Sequence, residues 1–243
     1  MKRLALLAGL LLSACAPTLQ QAPASLALQA AFSSDGVVWS EGGQAHVARA
    51  PTFQASTVRL PAPATAVSWQ GGVPWVAVPR LNALLSADGR PVTLPVGRVV
   101  ALSGTRVYRQ DGSAVTYAGA ATEGLIGAPG AVLTGPDGLD YAVQQGRLYR
   151  VSGGPVLLSA AARPFLYATL TGAATANAPT LQTQDGLYTL SGEALERRDL
   201  TGALLARVSH APGLIGAVGA TIVTVSAGGL LRFFAPDLRE LKP

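Results

Sequence analysis

The 243-residue chain is poor in the residues that most enzyme chemistry uses. It has one cysteine, Cys15, so no disulfide can form within it. Lysine occurs only at positions 2 and 242, which excludes a P-loop and leaves little for Schiff-base chemistry. His46 and His210 are its two histidines, and neither begins an H-E-x-x-H zinc motif. No serine stands in G-x-S-x-G, so the nucleophile elbow is missing. Charged residues make up 13% and aromatics 6% of the chain. The pI near 9.8 does not indicate nucleic-acid binding, because the basic residues are nearly all arginines and lie scattered.

What the chain does have begins at its first residues. Lys2 and Arg3 precede an apolar stretch, Leu4 to Leu12, and small residues follow it. This is the three-part pattern of a signal peptide, and it is too short for a membrane span of ~20 residues. The stretch Leu12-Ser13-Ala14-Cys15 resembles the lipobox of bacterial lipoproteins. That resemblance implies cleavage after residue 14 and lipid attachment at Cys15; the alternative is an ordinary secreted protein. Residues 15–25 (CAPTLQQAPAS) have small and polar side chains and two prolines, and they read as a tether. Residues 26–243 form the single remaining domain, long enough to bury a core without disulfide staples.

From Ser25 onward, short runs rich in Val, Leu, Tyr and Thr alternate with turns. Examples are GVVWS, TRVYRQ, GLYTLSG and ATIVTVS, which are strands rather than helices. Asp-Gly pairs begin at 35, 88, 111, 137 and 185. They supply the positive φ angles of tight turns and lack the spaced carboxylates of a calcium loop. In PDGLD, Asp137 and Asp140 read as a turn residue and an exposed strand start.

RVYRQDGSAV (106–115) aligns without a gap to RLYRVSGGPV (147–156), and GLIGAPGA (124–131) to GLIGAVGA (213–220). A looser pattern, Val or Leu, any residue, then Arg, recurs at Arg49, Arg109, Arg150, Arg197 and Arg232, with Ser86 in a sixth copy. These arginines read as charges that blunt outer strand edges. Six hairpins predict an all-β protein, a β-propeller of six antiparallel blades of about 36 residues each. Five or seven blades, or an up-and-down barrel, are the alternatives, and the third blade (98–119) has room for only three strands. The chain resembles the lipid-anchored β-propeller proteins of bacterial envelopes, with quinoprotein-like stretches in DGVVWS and QDGLYTL.

That resemblance implies an exported chain, anchored by lipid to a bacterial membrane and facing the periplasm or exterior. The expected role is a non-catalytic module, monomeric, binding an envelope protein or peptide without cofactor, metal or nucleic acid. The other reading is a propeller hydrolase or lyase with axial carboxylates or a metal. Arg98, Glu123, Arg163 and His210 each lie between the end of one blade and the start of the next, and are expected to share one partner-binding face. The anchor is tested at Cys15: Cys15→Ser should leave the precursor uncleaved and abolish incorporation of labelled fatty acid. Normal labelling of that variant would refute it.

Overall fold

The structure is a computed structural model that describes residues 28–88, 93–135, 137–164, 166, 167, 169, 170 and 180–242. The expected leader, Cys15 and the tether lie outside the described residues. Among the described residues, twenty-four strands form six antiparallel four-stranded sheets, each built from consecutive strands. Blade 1 holds β1 (Gln29–Ser33), β2 (Gly36–Glu41), β3 (Gln44–Arg49) and β4 (Ala55–Arg59). Blade 2 holds β5 (Ala66–Gln70), β6 (Val73–Val78), β7 (Ala83–Ser86) and β8 (Thr93–Pro95). Blade 3 holds β9 (Val99–Leu102), β10 (Arg106–Arg109), β11 (Ala114–Thr116) and β12 (Ala121–Thr122). In blade 4 these are β13 (Ala131–Thr134), β14 (Asp140–Gln144), β15 (Arg147–Arg150) and β16 (Val156–Leu158). Blade 5 runs through β17 (Thr180–Thr183), β18 (Gly186–Ser191), β19 (Ala194–Arg198) and β20 (Leu204–Ser209). Blade 6 ends the ring with β21 (Gly213–Val218), β22 (Thr221–Ser226), β23 (Leu231–Phe234) and β24 (Glu240–Leu241). Blade 3 thus has four strands rather than three: Ala121 and Thr122 pair with Val115 and Ala114 to complete it.

The turns carry the chemistry that the sequence promised. Gly36, Gly112, Gly138 and Gly186, four of the Asp-Gly glycines, all have positive φ. The repeat, however, is phased differently from the ungapped alignments. RVYR lies on β10, the second strand of its blade, whereas RLYR lies on β15, the third strand of its own. Likewise GLIG at 213–216 is inner strand β21, while GLIG at 124–127 is a connection. The structural repeat is instead a buried aromatic on each second strand. Trp39, Trp75, Tyr108, Tyr141 and Tyr188 occupy this place in blades 1 to 5, and Ile222 takes it in blade 6.

These side chains fill the spaces between blades. Trp39 joins Val218, Val223 and Phe233 between blades 1 and 6. Trp69 joins Val38, Val47 and Val76 between blades 1 and 2. Trp75 meets Tyr117, Val99 and Val107 between blades 2 and 3, and Tyr108 meets Ala142 and Val151 between 3 and 4. Tyr188 packs with Ile215, Ile222 and Phe234 between 5 and 6. Beside blade 4, Tyr141 and Leu148 pack on Leu166 and Leu170 of a helical segment within 164–170.

Antiparallel order gives the ring two faces. On the connection face each outer strand hands over to the next inner strand, and each second strand turns into the third. The opposite face carries the turns from first to second and from third to fourth strands. No sheet borrows a strand from another blade, so the seam between blades 6 and 1 closes through side chains. Phe32 of β1 packs directly on Gly216 of β21, where an added Cβ would come within 2.1 Å of the ring. Gly216→Val should therefore destabilise the fold by about 2–3 kcal/mol, lowering the thermal midpoint by roughly 5–10 °C. Differential scanning calorimetry checks this, and an unchanged midpoint would refute the seam.

Candidate functional site

The inner strands β1, β5, β9, β13, β17 and β21 enclose an open axial cavity of about 720 Å³. Its wall is mainly apolar: Phe32 and Ala30 from blade 1, Leu102 from blade 3, Leu133 from blade 4, Leu181 from blade 5 and Leu214 from blade 6. Ser68, Ser103, Thr134 and Thr180 add hydroxyls. Each inner strand is hydrogen-bonded on one side only, so its other edge turns backbone N–H and C=O groups toward the cavity. No Asp, Glu or His is part of this wall among the described residues.

A carboxylate does stand directly behind it. Asp140, at the start of β14, is fully buried rather than the exposed strand start expected from PDGLD. Its Oδ2 accepts from Ser103 Oγ at 2.7 Å, Thr105 Oγ1 at 2.7 Å and Arg106 Nη1 at 2.9 Å. Tyr108 OH donates to the same oxygen at 3.3 Å, and Thr134 Oγ1 to Oδ1 at 2.5 Å. Ser103 and Thr134 are cavity-wall residues, so the carboxylate fixes the wall while meeting no solvent. A buried charge costs several kcal/mol unless paired and hydrogen-bonded, and here every partner comes from blade 3 or blade 4. Ser68 Oγ and Tyr117 OH both donate to Ser103 O, at 2.8 and 2.5 Å, and extend the network toward blade 2.

Arg106 is the hinge of this cluster. Its Nη2 donates to Glu123 Oε2 at 2.8 Å and its Nη1 also reaches Ser152 Oγ at 3.0 Å. Burial opposes the guanidinium's charge, but its bonds to Glu123 and Asp140 outweigh that and raise its pKa. Burial, and then the negative charge of Asp140, push the Tyr108 phenol well above its usual range. The hydrogen bond from Arg106 chiefly holds Glu123 down at about 2. Arg106, Tyr108 and Glu123 therefore keep fixed protonation states near neutral pH. They serve as structure and have no proton to exchange.

The four residues expected to share a face are engaged separately. Arg98 is exposed on the connection between β8 and β9, and its side chain is without a partner among the described residues. Glu123 is spent on Arg106. Arg163 lies over the Tyr141 ring, 5.6 Å from its centroid, and Nη1 donates to the phenol oxygen at 3.3 Å. His210 cannot serve a surface, because it is 3% exposed. Its Nδ1 faces Ala211 O at 2.5 Å, which can only accept, so Nδ1 carries the proton and Nε2 accepts from Thr224 Oγ1 at 2.7 Å. Burial lowers its pKa and keeps it neutral at pH 7. Among the described residues no hydrogen bond, ion pair or ring contact joins any two of the four.

The recurrent arginines do more than blunt edges. Arg49 donates to Gly72 O across the gap between blades 1 and 2 and lies 4.9 Å from the Trp69 ring. Arg109 donates to Val96 O at 2.6 Å, Arg197 to Asp185 O at 2.8 Å and Arg232 to Ser209 O at 3.0 Å. Each ties a backbone carbonyl outside its own strand to a second or third strand, a use that strand-edge reasoning did not foresee.

No three or more His, Cys, Asp or Glu side chains come together as a metal site among the described residues. The six sheets around one axis define a six-bladed β-propeller. No protein-family model and no curated protein sequence matches the chain. Among solved structures it is similar to a chain of the mitotic checkpoint complex, at 13% identity over 86% of this chain and 75% of that one, with a TM-score of 0.43. It is similar also to PorZ, a bacterial surface component of the type-IX secretion system of Porphyromonas gingivalis, at 13% identity and a TM-score of 0.40. That match takes in 85% of this chain but only 32% of PorZ. BamB from Moraxella catarrhalis is 15% identical over 89% of this chain and 75% of its own, with a TM-score of 0.35.

The Asp140 cluster makes a sharp energetic demand. Asp140→Ala should cost about 3–5 kcal/mol, since it strands the Arg106 charge and four hydroxyl donors between blades 3 and 4. Urea unfolding followed by tryptophan fluorescence measures the loss; a cost below about 1 kcal/mol would mean that the network is incidental.

Proposed function

We propose that the chain is an exported, lipid-anchored propeller of the bacterial envelope, a non-catalytic module that holds an extended segment of a protein partner in its axial cavity. The anchor and the location rest on Lys2, Arg3 and the LSAC stretch at 12–15. The observation that carries the binding role is the make-up of the cavity wall. Apolar side chains and half-paired strand edges face the lumen, while the nearest acid, Asp140, is saturated by five side-chain donors. Such a wall offers a peptide apolar contact and backbone hydrogen bonds, the two elements by which extended chains are recognised. It offers a substrate no general acid or base.

The test places a charge in the lumen without touching the buried network. Leu181→Arg should leave the far-UV spectrum unchanged and abolish photo-cross-linking from a probe at position 30 to envelope proteins. Undiminished cross-linking by that variant would refute the axial site.

A further inference from the structure

Most described arginines are held by a carboxylate, a carbonyl or a ring. Arg59, Arg80, Arg98 and Arg147 are not: none has a hydrogen bond, ion pair or ring contact among the described residues, and all four are exposed. Their places in the topology coincide. Arg59 ends the outer strand β4, Arg80 lies in the turn between β6 and β7, Arg98 directly precedes inner strand β9, and Arg147 opens β15 after a hairpin. All four positions belong to the connection face, in an arc over blades 1 to 4.

The same face carries bare apolar tips. Leu81 is 49% exposed, Ile126 96% and Leu230 61%, and each stands on a second-to-third-strand turn or a blade-to-blade connection. Acids on this face are fewer: Asp111 and Glu193 are exposed, Glu123 is exposed but paired with Arg106, and Glu41 is taken up by the Gly228 N–H. The opposite face has the reverse balance, with Asp35, Asp137, Asp185 and Asp237 all exposed on its turns. Arg150 and Arg239 also lack side-chain partners there, but of the two only Arg239 is exposed.

A third observation bears on the orientation. β1 is an inner strand and begins at Gln29 on the connection face, so the described chain starts on that face, close to the axis. Between Cys15 and Leu28 the chain can extend at most roughly 45 Å. A lipid at Cys15 would thus tether the ring from this face rather than from the acidic one.

We propose that the connection face is a docking surface for an anionic lipid bilayer, with Arg59, Arg80, Arg98 and Arg147 against the headgroups and Leu81, Ile126 and Leu230 dipping into the interface. The inference deepens the anchored reading, because it gives the propeller a fixed attitude on the membrane and leaves the aspartate-bearing mouth open to a partner. Basic residues near a charged leaflet and exposed apolar tips act together in this way, and salt weakens the first contribution but not the second.

The experiment uses the chain without residues 1–15, which removes no described residue and separates this surface from the acyl anchor. The protein is floated with vesicles of phosphatidylcholine alone or with phosphatidylglycerol added. It should partition onto the anionic vesicles and be released by salt. Replacing all four arginines by glutamate should weaken that partitioning by at least about tenfold with the far-UV spectrum intact. Because this chain has no cysteine, Ile126→Cys and Asp185→Cys give single labelling sites on opposite faces. A polarity-sensitive dye at 126 should shift to the blue on anionic vesicles, and one at 185 should not. Failure of the folded chain to bind anionic vesicles at low salt, equal binding to phosphatidylcholine alone, or a dye response at 185 instead of 126 would each overturn the proposal. Acylation of Cys15 is measured independently by fatty-acid labelling, so the two ideas fail separately.

Discussion

Everything in this molecule depends on blades burying their faces against one another. A four-stranded sheet of such short strands cannot keep both faces from water alone; it needs a neighbour on each side. Trp39, Trp75, Tyr108, Tyr141 and Tyr188 are the principal fillers, one on the second strand of each of five blades. Their size sets the spacing of the ring, and the ring in turn sets the width of the axial cavity. The cavity is a by-product of closure: six inner strands stop short of the axis because the aromatics between the blades hold them apart.

The polar groups follow the same logic. Where blades 3 and 4 meet, the strands are among the shortest, and less apolar surface is available to join them. There the Asp140 network takes over, with Ser103, Thr105, Arg106 and Tyr108 reaching across from one blade to the carboxylate of the other. Such a cluster is directional where apolar packing is not, so it fixes the relative placement of the two blades. The arginines that hold backbone carbonyls repeat this on a smaller scale between blades at Arg49, Arg109 and Arg232, while Arg197 does so within blade 5.

The strand class, the turn glycines and the number of blades could be read from the sequence, because alternation and Asp-Gly turns are local signals. The phase of the repeat could not. RVYR and RLYR are nearly identical in sequence yet stand on second and third strands, since either place rewards an apolar residue beside an arginine. A better signal was present in the aromatic that follows a turn glycine, as in Gly36 to Trp39, Gly72 to Trp75 and Gly138 to Tyr141. It is Trp in two blades and Tyr in three, and therefore escapes an identity search. The site was less legible. Asp140 and Arg106 come together through pairing of distant strands, and nothing near PDGLD in sequence announces burial. His210 occupied the expected connection but turned inward, because Thr224 offered its ring a partner in the core.

One consequence of the inner position of β1 is mechanical. A pull on the chain ahead of Gln29 acts along β1, parallel to its axis, while β2 holds it through five register pairs from Gln29↔Ser40 to Ser33↔Gly36. Those pairs are loaded in shear and must give way together, whereas a pull at right angles to the strand would part them one at a time. The same strand holds Phe32 wedged on Gly216, which adds a steric latch to the resistance. The first strand therefore bears load in shear, and a force along it reaches the ring through all five pairs at once.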